Sequence, residues 1–250
     1  MVAKRIIACL DVKDGQTVKG IGFVNLRQMG DPAALAERYS ADGIDELVLL
    51  DITASQEGRG TFTGVVKRVA AAINIPFTAG GGVASLHDVE RLLDAGADKV
   101  SINSAALKNP ALLTQIAHRF GSQCLVLAVD VKQEQGVYQV YTHGGSRCAG
   151  LELLPWATRA VEAGVGELLL TSIGQDGARN GFDLQACRQV SRLPVPVIIS
   201  GGAGTWEHFA EAFTIGAADG ALAAGIFHEN ILEVRALKQY LCHLQIPVRR

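Results

Sequence analysis

The sequence predicts an α/β fold, a single (β/α)8 barrel of the TIM type with a two-fold internal half-barrel repeat. Three observations carry the prediction: a length of 250 residues, eight short apolar runs that alternate with helical segments, and blocks of the second half that repeat the first at a fixed offset. That length suits one closed barrel of eight βα units. With 48% hydrophobic and 19% charged residues, the chain has the material for a sizeable core, since domains of this size bury roughly 70 to 75% of their unfolded surface.

Taken in order, the strand-like runs are RIIACLD (5–11), ELVLLD (46–51), IPFTA (75–79), DKVSI (98–102), CLVLAVD (124–130), ELLLTS (167–172), VPVIIS (195–200) and DGALAA (219–224). Runs that are apolar throughout belong to strands buried on both faces, as in parallel sheets covered by helices. Between them lie helical segments with starting signals: DPAALAERYS after Gly30, SLHDVERLLDAG after Val83 and TWEHFAEAFTIG after Gly204. QTVKG and VYQVYTH show strand-type alternation and follow the first and fifth strands, whereas SRCAG (146–150) reads as loop.

GIDELVLLD (43–51) resembles GVGELLLTS (164–172), and AGGGVASLHDVERLLDAGADKVSIN (79–103) resembles SGGAGTWEHFAEAFTIGAADGALAA (200–224). Both pairs are 121 residues apart. LDVK (10–13) and VDVK (129–132) match at nearly the same offset. One barrel over residues 1–250, with half-barrels of about 1–121 and 122–250, satisfies all three, whereas an open sheet needs distinct edge strands.

Composition excludes several roles. A formal net charge of −2 gives no basic footprint for nucleic acid. No apolar run approaches the roughly 20 residues of a membrane helix. Five scattered cysteines without metal-ligand spacing point to a reduced compartment, hence the cytoplasm, and to no structural metal. No cofactor is expected.

In such barrels the chemistry lies at the C-terminal strand ends. Asp11 and Asp130 end the first and fifth strands, on opposite sides of the ring, where partial desolvation raises a carboxyl pKa towards the range of a general acid and base. Helix capping is the alternative use of such aspartates, and their symmetric placement favours chemistry. Gly80, Gly81, Gly82 and Gly201, Gly202, Ala203, Gly204 follow the third and seventh strands and let backbone N–H groups approach an anion. Asn103 with Ser104, and Ala224 with Gly225, follow the neighbouring strands. Two equivalent Gly-rich turns suggest two phosphates on one substrate. Lys19, in the first loop, is placed to contact a phosphate or close over substrate, and Asp51, Thr171 and Asp176 with Gly177 to orient hydroxyl or amide groups. Near the strand starts, alternation puts Arg5 on the same side as Cys9 and Asp11. Glu46, Lys99 and Glu167 join it in a ring of two positive and two negative charges at the barrel's bottom. On physical grounds alone such a ring reads as a stabilising plug.

Through AKRIIACLDVKDGQTVKG, GIDELVLLDITAS, PFTAGGGV, GADKVSIN, ELLLTSIGQDGARNGFD, SGGAG and ALAAGIFH, the chain resembles the cyclase subunit of imidazole glycerol phosphate synthase, of histidine biosynthesis. The resemblance runs over essentially the whole chain. It implies a lyase that takes ammonia and a bisphosphorylated ribulosyl-formimino aminoimidazole carboxamide ribonucleotide to imidazole glycerol phosphate and aminoimidazole carboxamide ribotide. It assigns Asp11 and Asp130 as the acid/base pair. It maps the phosphate contacts onto Gly82, Asn103 and Ser104 at one end and Gly177, Gly202, Ala203, Ala224 and Gly225 at the other. It also implies a glutaminase partner, in a heterodimer, docked at the bottom face. Arg5, Glu46, Lys99 and Glu167 are then an ammonia gate, and Asp98 faces the partner. No glutaminase nucleophile motif is evident in the chain. Gly225 stands where a serine is frequent, and Gly174 and Ala178 replace more polar residues. The sister isomerase of the pathway, and a non-catalytic phosphate-binding barrel, are the competing readings; the four charges favour the cyclase over the first, and both aspartates speak against the second.

Overall fold

The computed structural model describes residues 2–21, 24–52 and 62–249; the end of the GIDELVLLDITAS motif, 53–55, lies outside them. Strand β1 (Arg5–Lys13) runs directly into a hairpin of β2 (Gln16–Ile21) and β3 (Val24–Gly30). Asp14 and Gly15, both at positive φ, make the mirror-image turn that matches strand twist. Then follow α1 (Pro32–Asp42), β4 (Glu46–Asp51), α2 (Thr63–Ala72), β5 (Phe77–Gly80), α3 (Leu86–Asp94), β6 (Lys99–Ile102), α4 (Ser104–Lys108) and α5 (Ala111–Phe120).

The second half repeats that order. β7 (Leu125–Glu134) turns at Gln135 and Gly136 into β8 (Val137–Thr142) and β9 (Arg147–Glu152), followed by α6 (Leu153–Glu162), β10 (Glu167–Ser172), α7 (Leu184–Val190), β11 (Val197–Ser200), α8 (Trp206–Thr214), β12 (Gly220–Ala223), α9 (Gly225–His228) and α10 (Val234–His243). The SRCAG segment is therefore mostly strand, a correction to its reading as loop: β8 offers an open edge, and β9 pairs with it antiparallel. Two strands start two residues later than expected, at Phe77 and Val197, each just after a proline that has no N–H for the ladder.

The strands β1, β4, β5, β6, β7, β10, β11 and β12 pair in parallel in that order, and β12 returns to β1. The predicted (β/α)8 barrel is thus closed. Its outward-facing residues, such as Ile6, Leu10, Leu47 and Leu49, pack with the helices into one large core. The inward-facing Ile7, Cys9, Val48, Val126, Leu169, Ile198 and Leu222 form a second, smaller core inside the barrel. Alternation along each strand separates the two sets.

Capping fixes where the helices begin. Asp31 accepts from the Ala33 and Ala34 amides with Pro32 in the first turn, and Gly43 at φ 93° ends α1. Ser85 and Asp88 cap α3, and Thr205 with His208 form a capping box for α8. At the bottom face Asp45, Asp98 and Asp219 accept from the amides of Ile6, Phe77 and Val197 at 2.8, 2.9 and 3.1 Å, pinning the starts of three strands.

Candidate active site

The C-terminal strand ends surround a cavity of about 940 Å³ that Asp11 and Asp130 both line. The register explains their different surroundings. Asp11 pairs with Val18 on β2, and Asp130 with Tyr141 on β8. The next residue on the first hairpin is Lys19; on the second it is Thr142. Only Asp11 therefore has a cation beside it, with Lys19 Nζ 4.0 Å from its Oδ2 and 3.8 Å from Asp176 Oδ1.

Asp11 is 7% exposed, and the Cys9 thiol donates to its Oδ1 at 3.6 Å. Burial pushes its carboxyl above the ordinary value, Lys19 pulls it back, and Asp176 adds to the rise. Burial, then Asp11, push the Cys9 thiol well up, which keeps it protonated as a donor. Asp130 accepts from Asn103 Nδ2 at 2.9 Å. Burial pushes Asp130 up to about 7 against the pull of that amide, with Asp176 adding to the rise. A neutral donor stabilises a carboxylate less than a cation does.

The other expected residues lie on the same rim. Asp51, Gly82, Asn103 and Ser104 line one side of the cavity, and Thr171, Asp176, Gly177, Gly202, Ala203, Ala224 and Gly225 the other. Lys19 belongs to strand β2, not to a loop, and the antiparallel pairing with β1 delivers it to Asp11. Sequence reasoning missed four further groups. Cys9 was placed inward but given no contact; Arg27, Arg179 and Glu229 line the cavity mouth, and nothing in their spacing announces it.

At the opposite end of the lumen the four inward charges close into a ring. Arg5 reaches Glu46 at 2.7 Å and Glu167 at 2.5 Å; Lys99 reaches both glutamates at 2.7 Å. The Thr78 hydroxyl adds a bond to Glu46 at 3.3 Å. The glutamate side chains are 3% and 6% exposed, the lysine and arginine 19% and 22%. The anions are thus the buried anchors and the cations the members nearer solvent. Each buried carboxylate meets both cations, the compensation without which its desolvation would cost several kcal/mol. Asp98 lies exposed on this face, with one oxygen held by the Phe77 amide.

Among the described residues no helix is long and apolar enough to cross a membrane, and none of their His, Cys, Asp and Glu side chains cluster as a metal site. The profile of a family described as histidine biosynthesis protein matches residues 5–233. The imidazole glycerol phosphate synthase subunit HisF of Bacteroides thetaiotaomicron is 56% identical over 250 residues, covering the whole of both chains. Its counterparts from Geobacillus kaustophilus and Natranaerobius thermophilus are 56% identical over 252 residues and 53% over 250, again along the full length of both chains. A chain with this closed barrel, and with such likeness from end to end, belongs to the histidine biosynthesis family, among the HisF subunits of imidazole glycerol phosphate synthase.

Proposed function

We propose that Asp11 and Asp130 carry the proton transfers by which this chain, a lyase and the cyclase subunit of its synthase, joins ammonia to the bisphosphorylated ribulosyl-formimino aminoimidazole carboxamide ribonucleotide. The products are imidazole glycerol phosphate and aminoimidazole carboxamide ribotide. The observation that carries the assignment is the pair of carboxyl groups at equivalent strand ends of one cavity, both raised by burial but unequally opposed, by the Lys19 cation at Asp11 and by the neutral Asn103 amide at Asp130. A neutral carboxylic acid can donate a proton at pH 7 only if its pKa lies near that value. Asp130, at about 7, fits the acid; Asp11, beside Lys19, fits the base. As ammonia adds to the ribulose carbonyl carbon, Asp130 protonates the carbonyl oxygen and Asp11 takes a proton from the new ammonium nitrogen. Loss of water, closure of the imidazole ring and cleavage of the C–N bond then need further transfers, for which the two groups exchange roles.

The phosphates sit at Gly82, Asn103 and Ser104 on one side, and at Gly177, Gly202, Ala203, Ala224 and Gly225 on the other. Asp51, Thr171 and Asp176 orient the polar groups between them. Ammonia arrives through the ring of Arg5, Glu46, Lys99 and Glu167, supplied by a glutaminase subunit seated on the bottom face about Asp98. That its relatives are subunits of a synthase supports an assembly. The apolar lumen of Ile7, Val48, Leu169 and Ile198 suits neutral ammonia and disfavours ammonium, whose desolvation is costly. A cytoplasmic setting accords with five unpaired cysteines.

The test is turnover with ammonium salt. Asp11→Asn and Asp130→Asn should each lower kcat by at least about 100-fold, the usual scale for a positioned acid or base, with substrate affinity nearly kept. Loss of affinity at unchanged kcat would make them binding groups and sink the assignment.

A further inference from the structure

We propose that the Arg179 guanidinium is a ligand of the substrate phosphate at the Gly202 and Gly225 end, and that Glu229 is its resting counter-ion, displaced when the phosphate arrives. The inference rests on the reading of that end as a phosphate site and adds a side chain to what was otherwise a cradle of backbone and small residues.

Gly225 offers no side chain of its own. A Cβ placed there would lie 3.7 Å from Lys19 Cε and 3.9 Å from Arg179 Nη2. Two cationic side chains thus converge over the position from which a longer residue would have pointed a donor at the anion. Arg179 is aimed by its backbone. It sits at φ +59°, the left-handed region that residues with a Cβ adopt at a cost. The segment around it packs hard against the turn after β11. Gly181 donates to the Gly202 carbonyl at 2.9 Å, and a Cβ on Gly204 would come within 2.4 Å of the Arg179 carbonyl oxygen. The loop that carries the arginine and the turn that carries Gly202 and Ala203 are therefore one packed unit.

Glu229 follows α9 and binds Arg179 at 2.5 Å and Arg27, on β3, at 3.2 Å. All three side chains line the cavity, and the side chains of Arg179 and Glu229 are 44% and 30% exposed. An ion pair so exposed adds little to stability, so a structural strap is a weak account of it. An exchangeable pair is a better one. A phosphate brings up to two charges and three acceptor oxygens where the carboxylate brings one charge and two, and arginine's planar fork suits it.

Calorimetric titration of imidazole glycerol phosphate and of aminoimidazole carboxamide ribotide, each with one phosphate, tests the assignment. Arg179→Met should weaken one of the two by about tenfold, the scale of a charged hydrogen bond discounted for exposure, and leave the other within about twofold. Glu229→Gln should tighten that same product, because the competing carboxylate is gone. Unchanged affinities in Arg179→Met, equal losses for both products, or weaker binding in Glu229→Gln would overturn the proposal. Failure of the wild-type protein to bind either product would instead overturn the phosphate reading on which it stands.

Discussion

Asp11 and Asp130 share a side chain and equivalent places on their strands, yet only one has a lysine in reach. The difference has a measurable pH signature. Burial raises Asp130 from 3.8 to about 7, so the folded chain binds a proton there that the unfolded chain releases. The group's contribution to stability is accordingly full below about pH 4 and is lost as pH rises through about 7. Asp130→Asn, which keeps an acceptor for Asn103, should therefore stabilise the protein at pH 8, on the order of 2 kcal/mol after allowing for water in the cavity. The gain should shrink at pH 5. Thermal melts at the two pH values check this, and equal shifts would mean that Asp130 is ionised throughout. The same titration predicts that kcat/KM of the wild type falls above about pH 7, where the acid form is depleted. At this scale the sequence was informative where alternation governs: counting back from Asp11 places Cys9 and Arg5 inside the barrel. It was silent on Arg179, whose left-handed backbone follows from loop packing and leaves no mark on residue type.

The element that joins β11 to α8 shows how the glycine-rich turns are built. Gly202 lies at φ +105°, and a Cβ there would meet the Gly181 carbonyl oxygen at 2.0 Å. Gly202→Ala should cost at least about 1 to 2 kcal/mol from backbone conformation alone and push apart the two loops. A melting temperature unchanged from wild type would show that the turn tolerates another path. The repeat of Gly80–Gly82 in Gly201–Ala203 made this element visible in the sequence. The hairpins were half visible. QTVKG and VYQVYTH alternate as strands do, but β9 carries small and polar residues, and its strand character comes from the edge that β8 presents. Prolines moved the starts of β5 and β11 by removing a donor.

At the scale of the whole molecule the barrel has two unlike ends, a wide polar mouth and a floor closed by four charges. Lys99 holds both glutamates and is a flexible chain near solvent, so it is the member best suited to swing aside. Lys99→Ala should impair glutamine-dependent turnover in the assembled complex several-fold more than ammonia-dependent turnover of the isolated chain. Equal losses would reduce the ring to a static plug. That four inward charges lie together was legible from strand phase. That they close without a gap was not, because it depends on the stagger of strands around the barrel.

The floor's composition has one more consequence. Two cations and two anions cancel, so the ring adds no net charge beneath the lumen, and the charged neighbours that tune Asp11 and Asp130, Lys19 and Asp176, lie at the mouth. On the reading proposed for this chain, the bulky substrate comes and goes by the mouth while the small nucleophile arrives through the floor. The traffic never crosses: the vessel can be lidded by its substrate and still be fed from below.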